Sequence, residues 1–316
     1  MSAPVLTVDR LAAGYGNGNT VEGVSFTLEK GEILCLVGES GCGKSTVMKA
    51  LMASPEVRLN SGTVVLEGTD LTALPLKERR RLCCGKLGLV PQQPGSSFNP
   101  IRSYRKQFTE ALKSQGKYDK AAFPSQVEKV FLKLELRDWK RILESCPYAL
   151  SGGMNQRMAL ALALLLEQES LLCDEPTSAL DATVQLQVAI ELKRLQKEQG
   201  ISQIIVTHNL ALAQFLADRI GVMYAGRLVE YGTARSVLHE PRHPYTRSLM
   251  AAIPRLEGQM PVGLPGQPPL SGPSAVGCEF RDRCPCASPA CGERVYGLEP
   301  AGEGHFASCR EGGGQG

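Results

Sequence analysis

Apolar and polar residues alternate along the chain in two rhythms. Three short runs, EILCLVG (32–38), LLCDE (171–175) and QIIVTH (203–208), are apolar at successive positions and end in polar or glycine residues. Strands buried on both faces have this pattern, so the runs predict a central, mostly parallel sheet. Between them the spacing lengthens. Val127, Val130, Phe131 and Leu134 recur at helical intervals, and Ser125 with Glu128 forms a candidate capping box at the start of that helix. The region from about 95 to 165 therefore reads as a helical insertion between sheet strands, with no internal repeat and no long heptad run. Strands alternating with helices predict an α/β fold. The longest apolar run, Met158 to Leu166, is nine residues, well short of the roughly 20 that a membrane span needs.

Composition shifts near residue 241. Nine of the 20 prolines follow from Pro254 onward, with five cysteines: Cys278, Cys284, Cys286, Cys291 and Cys309. This divides the chain into a domain over 1–240 and a C-terminal extension over 241–316, whose final EGGGQG is expected to fray. With 316 residues and 43% hydrophobic content the chain can bury a sizeable core, which excludes a disordered protein. A net charge of +3, from 35 basic and 32 acidic residues, makes no electrostatic case for nucleic acid as a partner. The N-terminal MSAPVLTVDR lacks the basic start and apolar core of a secretion signal. Eleven cysteines in such a chain read as reduced thiols or metal ligands, and the expected compartment is the cytosol.

The chemistry begins at VGESGCGKST (37–46), which fits G-x-x-x-x-G-K-[ST] through Gly38, Gly43, Lys44 and Ser45. It follows a predicted strand and leads into STVMKALM, a predicted helix. Glycines let several backbone N–H groups point at one phosphate, and the helix start adds the positive end of its dipole. Lys44 supplies a full charge to the β- and γ-phosphates, and Ser45 can ligate Mg²⁺. Ser40, Gly41 and Thr46 complete the candidate phosphate contacts. Downstream, Asp174 at a strand's end can hold Mg²⁺, and Glu175 can orient or deprotonate water.

At LSGGM (150–154) the motifs converge on a family. Over about residues 5 to 240 the sequence resembles the nucleotide-binding subunits of ABC transporters. The motifs stand in that family's order: the phosphate loop, VPQQP (90–94), LSGGMNQR (150–157), LLCDE, SALD (178–181) and THNL (207–210). The resemblance implies a P-loop NTPase of ABC type: a mostly parallel core sheet, an antiparallel β region and a helical subdomain. It implies ATP and Mg²⁺, with ATP sandwiched between two such domains. Ser151, Gly152 and Gly153 would face a γ-phosphate on the opposite subunit. Gln92 would touch Mg²⁺ and the attacking water, His208 the γ-phosphate, and Tyr15 the adenine. Asp181 would lie in the loop crossing the dimer interface. Three positions depart from the family pattern: Pro91 before the glutamine, Asn209 after the histidine, and Ala149 before the signature.

PRHPYTRSLM (241–250), LPGQPP (264–269) and SSFNP (96–100) resemble one branch of the family, importers of dipeptides, oligopeptides and nickel. The branch implies a paralogous ATPase subunit or a second copy as partner, two transmembrane permeases, and an extracytoplasmic solute-binding protein. The place of action would be the cytoplasmic face of the membrane. The tail's Cys278, Cys284, Cys291 and Cys309, with Cys286 and His305 nearby, could hold zinc or an iron–sulfur cluster. The resemblance favours a 4Fe-4S cluster, and a Gly/Pro-rich segment this long needs some staple. Cys42 in the loop is expected to confer sensitivity to alkylation, while Cys35 and Cys173 are expected in the core. KERRR (77–81) reads as a solvated surface, and His239 and His243 as turn-fixing residues beside prolines. A soluble, non-transport ABC ATPase would want a coiled-coil insertion, a second cassette or a basic face, and the sequence has none of these. A sensing module with incidental turnover is opposed by the presence of both Glu175 and His208.

Overall fold

In the computed structural model, residues 3–16, 18–178, 180–252, 264, 266–269, 272–274, 276–293, 295 and 297–309 are described. In chain order they form strands β1 (Leu6–Gly14), β2 (Val21–Leu28) and β3 (Ile33–Val37), helix α1 (Lys44–Leu51), β4 (Arg58–Leu66), β5 (Thr69–Asp70), α2 (Leu76–Lys86) and β6 (Leu87–Val90). Helices α3 (Pro94–Ser97), α4 (Tyr104–Ser114), α5 (Phe123–Lys133), α6 (Trp139–Glu144) and α7 (Gly152–Leu165) follow. Then come β7 (Ser170–Asp174), α8 (Ala182–Gln199), β8 (Ser202–Thr207), α9 (Leu210–Leu216), β9 (Arg219–Tyr224) and β10 (Arg227–Thr233). The chain closes with α10 (Ala234–His239), α11 (Pro244–Ala251), β11 (Glu299–Gly302) and β12 (His305–Ala307). No described helix is long and apolar enough to cross a membrane.

Two compact units result, one made of the chain up to Arg80 and from Val206 onward, the other of residues 81–205. The first holds an antiparallel sheet in the order β2-β1-β4-β5, with Leu6 opposite both Leu28 and Leu66. It also holds the run β11-β12-β10-β9-β3, in which β3 and β9 are parallel with Leu36 opposite Gly221. Every residue of β3 is buried, as its unbroken apolar run requires.

The second unit stacks β8, β7 and β6 in that order, with β6 and β7 parallel. Its helices pack by ring contacts at i, i+4 spacing: α4 buries Tyr104, Phe108 and Leu112, and α5 buries Phe123, Val127 and Phe131. Phe108 meets Tyr104 at 5.7 Å and Phe131 at 6.3 Å, both edge to face. The predicted stripe Val127, Phe131 and Leu134 is buried and Val130 half-buried.

The capping box does not form. Helix α5 starts earlier, at Phe123, with Pro124 in its first turn, and Asp119 accepts from the N–H groups of Ala121 and Ala122 instead. Ser125 is thereby inside the helix, donating to the Ala122 carbonyl, and Glu128 accepts from the Trp139 indole. The KERRR run lies on α2 and is only partly solvated. Arg79 donates to the carbonyls of Leu71 and Thr72, and Arg80 to that of Ala53.

Candidate functional site

Strand β3 delivers the chain to the glycine-rich loop, and Gly43 ends that loop as the residue preceding α1. Its φ of 101° lies in the left-handed region, and a Cβ there would stand 2.4 Å from the Val21 side chain, so glycine is required. The helix that follows has no acidic residue in its first turn, leaving its positive end uncompensated by side chains. Lys44 is 6% exposed, and its Nζ donates to the carbonyls of Gly38 at 2.7 Å and Glu39 at 2.9 Å. A buried ammonium held over a curled backbone, at a helix start, is a cation cradle for an anion. Thr46 is buried and Ser45 half-buried in the same turn, while Ser40 and Gly41 lie at the loop's outer side. Tyr15, just beyond β1, is 46% exposed, with the Lys49 ammonium 5.6 Å from its ring centre. His208 is exposed immediately after β8, and Asn209 caps α9 by accepting from the Leu212 N–H at 3.1 Å. An asparagine is among the preferred caps, so this departure from the family pattern preserves the helix start.

The second unit carries the remaining predicted residues. Gln92 is exposed just past β6. Ser151 caps α7, accepting from the Met154 N–H at 3.3 Å, with Gly152 exposed and Gly153 buried behind it. Asn155 anchors that turn: its amide donates to the Pro147 carbonyl, and it accepts from Tyr104, whose hydroxyl burial raises above the usual range. Asp174 ends β7. Glu175, 9% exposed, has φ of 48°, a left-handed conformation that costs a side-chain-bearing residue about 1–2 kcal/mol. Its carbonyl accepts from both the N–H and hydroxyl of Ser178, closing the turn that holds it there. Asp181 caps α8 through the Thr183 and Val184 amides at 3.1 and 3.0 Å. The start of α7 meets the start of α8, since a Cβ on Gly153 would stand 2.5 Å from Val184 Cγ1 and one on Gly152 3.4 Å from Leu180. The signature and the SALD segment, of which Ala179 lies outside the described residues, are thus brought together within this unit.

A family model for the ABC transporter domain matches residues 21–178, and one for the oligopeptide/dipeptide transporter C-terminal region matches 229–291. The chain belongs to the ABC transporter ATP-binding family. A dipeptide transport ATP-binding protein, DppD of Bacillus subtilis, is 35% identical over 96% of this chain and 94% of its own length. The oligopeptide transport ATP-binding protein OppD of Haemophilus influenzae is 37% identical over 91% of each. Among solved structures, a dimeric post-hydrolysis state of the ATP-binding cassette MJ0796 bound to ADP and Pi superposes with a TM-score of 0.65. It is 25% identical and covers 73% of this chain and 99% of that one. This chain is an ABC ATPase, which binds ATP with Mg²⁺ and hydrolyses it.

The structure of this ABC ATPase departs from expectation in three places, two in the C-terminal segment and one in the phosphate loop. First, among the described residues no group of three or more His, Cys, Asp or Glu side chains is arranged to hold a metal. Cys278 donates its N–H to the Cys291 carbonyl, and burial pushes its thiol up to about 11. The Cys284 thiol is raised by burial, with the charges of Cys286, Cys309 and Cys291 adding to the effect. His305 is turned to another task, its Nε2 lying 2.7 Å from the buried Glu230 carboxylate. Second, the segment is stapled by ion pairs and rings: Arg227 pairs with Glu279 at 2.6 Å, and Phe280 is buried among Tyr224, Tyr245 and His243. Third, Cys42 is 5% exposed and burial raises its thiol, which suppresses the thiolate that alkylation requires. Cys35 and Cys173 are buried as expected, and His243 caps α11 by accepting from the Tyr245 N–H. The closing EGGGQG, and Pro265 of LPGQPP, lie outside the described residues.

Sequence reasoning missed Glu39, whose carboxylate is gripped by Arg283 from the far end of the chain. The available signal was chemical: an acidic side chain inside an anion cradle needs a cation to neutralise it.

Proposed function

We propose that this chain powers import of a peptide-type solute through separate membrane permeases. The reading rests on one observation: a cassette match over 21–178 and a peptide-transporter C-terminal match over 229–291 occur on the same chain. The relatives reported above are peptide systems, which favours a peptide cargo over nickel. In this reading Lys44 neutralises the β- and γ-phosphates, Tyr15 stacks on adenine, and the Gly38–Thr46 backbone cradles the phosphate chain. Ser45, Asp174 and Gln92 are hard oxygen donors suited to Mg²⁺, which would spread the charge of the leaving phosphates. Glu175 orients or deprotonates the attacking water, and His208 contacts the γ-phosphate. Ser151, Gly152 and Gly153 engage the nucleotide of an opposing subunit, either a paralogue or a second copy, and Asp181 lies at that interface.

The chain would work at the cytoplasmic face of the membrane, beneath two permeases fed by an extracytoplasmic binding protein. We extend this to a domain over 1–240, with its helical subdomain at about 95–165, and an extension over 241–316. Among the described residues no group of three or more His, Cys, Asp or Glu side chains is arranged to hold a metal, so no step is routed through a zinc or iron–sulfur group on Cys278, Cys284, Cys291 and Cys309. The deciding experiment is uptake into vesicles that carry the cognate permeases, this chain and its partner ATPase. Radiolabelled di- or oligopeptide should enter only with ATP, whereas ATP-driven entry of nickel in place of peptide would overturn the assignment.

A further inference from the structure

We propose that Arg283 of the C-terminal segment is a positioning residue for the phosphate loop, acting through Glu39, so that nucleotide affinity is set partly from the extension. Glu39 stands between Gly38 and Ser40 and is held by three residues. Its carboxylate accepts from both Arg283 nitrogens, Nη1 at 2.7 Å and Nη2 at 3.0 Å. Its N–H donates to the Tyr245 hydroxyl at 3.0 Å. Its carbonyl accepts from Lys44 Nζ at 2.9 Å. Two of the three anchors, Arg283 and Tyr245, lie beyond the cassette, within the segment matched to the peptide-transporter C-terminal region.

The clamp is itself rigidly supported. The Arg283 side chain is 6% exposed and lies over the rings of Tyr224 and Phe280, 5.7 and 6.0 Å from their centres, with Nη1 also 3.3 Å from the Tyr224 hydroxyl. A planar guanidinium stacked on aromatic faces and forked onto a carboxylate defines orientation as well as charge. Phe280, three residues earlier, is fully buried against Tyr224 and Tyr245.

Two physical effects follow. The fork fixes the first turn of a loop whose amides must point at phosphate, and misplaced groups bind less well. It also neutralises a carboxylate that would otherwise repel a triphosphate from within its own cradle, an interaction strong where solvent is excluded. The second effect has a sign that a merely structural contact does not share. Arg283→Gln leaves Glu39 charged and unpaired, whereas Arg283→Gln with Glu39→Gln leaves neither charge.

This inference rests on the phosphate-loop reading, and Lys44→Ala separates the two. The measurement is equilibrium binding of a fluorescent ATP analogue with Mg²⁺ to the full chain. Arg283→Gln should weaken binding about 10-fold or more, and adding Glu39→Gln should recover most of that loss. The deficit of Arg283→Gln should shrink between 50 and 500 mM salt as the carboxylate is screened. Wild-type affinity in Arg283→Gln, or a double variant no better than the single, overturns the proposal. Should Arg283→Gln not fold, Arg283→Lys keeps the charge but not the two-pronged fork. It is expected to bind at least about 3-fold more weakly, and unchanged affinity overturns the proposal equally. If Lys44→Ala binds normally, the phosphate-loop reading itself fails. If Lys44→Ala abolishes binding while Arg283→Gln is silent, only the role of Arg283 fails.

Discussion

The side chain of Val184, at the start of α8, occupies the space where any Cβ on Gly153 would have to stand, 2.5 Å from Cγ1. The signature turn and the segment after SALD are therefore fitted to each other by the absence of one carbon. Gly153→Ala should push the start of α7 away from α8, at a cost of about 1–3 kcal/mol of stability, because close-packed interiors tolerate overpacking poorly. Val184→Ala in the same chain should return most of that loss. Urea unfolding of the single and double variants checks this, and additive costs would show that the two residues do not share the space.

Lys44 has the strongest expected effect on binding. It is buried, and in the structure its ammonium is held by the loop's own carbonyls. Lys44→Ala should reduce ATP binding below detection in a titration that gives a clear isotherm for the wild type, while leaving the thermal midpoint without nucleotide close to normal.

Glu175 is held in a left-handed backbone conformation by Ser178, and glutamine keeps the side-chain shape. Glu175→Gln should bind ATP normally and hydrolyse it at least about 10²-fold more slowly, since a general base typically contributes 10²–10⁴-fold. It should also accumulate as a nucleotide-bound dimer in size-exclusion chromatography. Turnover at the wild-type rate would assign the base to another group.

His243 should impose a pH dependence on stability. Burial lowers it to about 3, from an ordinary value near 6.5. Above pH 6.5 the imidazole is neutral in both the folded and the unfolded chain and carries no penalty. Below that pH the unfolded chain takes up a proton that the folded one refuses, so stability falls as pH drops from about 6.5 toward 3. The contribution is about 1.4 kcal/mol per pH unit from this one group. His243→Asn retains a capping side chain and should flatten the slope between pH 6.5 and 5 by close to one proton, measured as the pH dependence of urea unfolding.

Much of the fold was legible because burial on both faces leaves an unmistakable mark. The runs at Ile33–Val37, Ser170–Asp174 and Ser202–Thr207 became fully or almost fully buried strands. The start of α7 at Ser151 was readable for a similar local reason, a serine followed by two glycines before an apolar run. Local chemistry misled at α5, where Ser125 and Glu128 had the right spacing for a capping box but Pro124 and Asp119 moved the helix start upstream. The tail was less legible. Its Gly/Pro richness and the family resemblance suggested a metal staple, whereas the staples seen there are Phe280 packed among aromatic rings and the pairs Arg227–Glu279 and Arg283–Glu39. The last pair joins residues 244 positions apart, and no periodicity along a chain encodes a contact between its two ends.

The final short strand has a practical consequence for anyone trimming this protein. β12 pairs with β10 through Glu230↔Ala307, and His305 reaches the wholly buried Glu230 carboxylate, which also accepts from the amides of Arg242 and His243. A shortened version ending before His305 would strip that carboxylate of its imidazole and bare the rim of β10. Such truncates should precipitate during purification even though every motif of the cassette is still present.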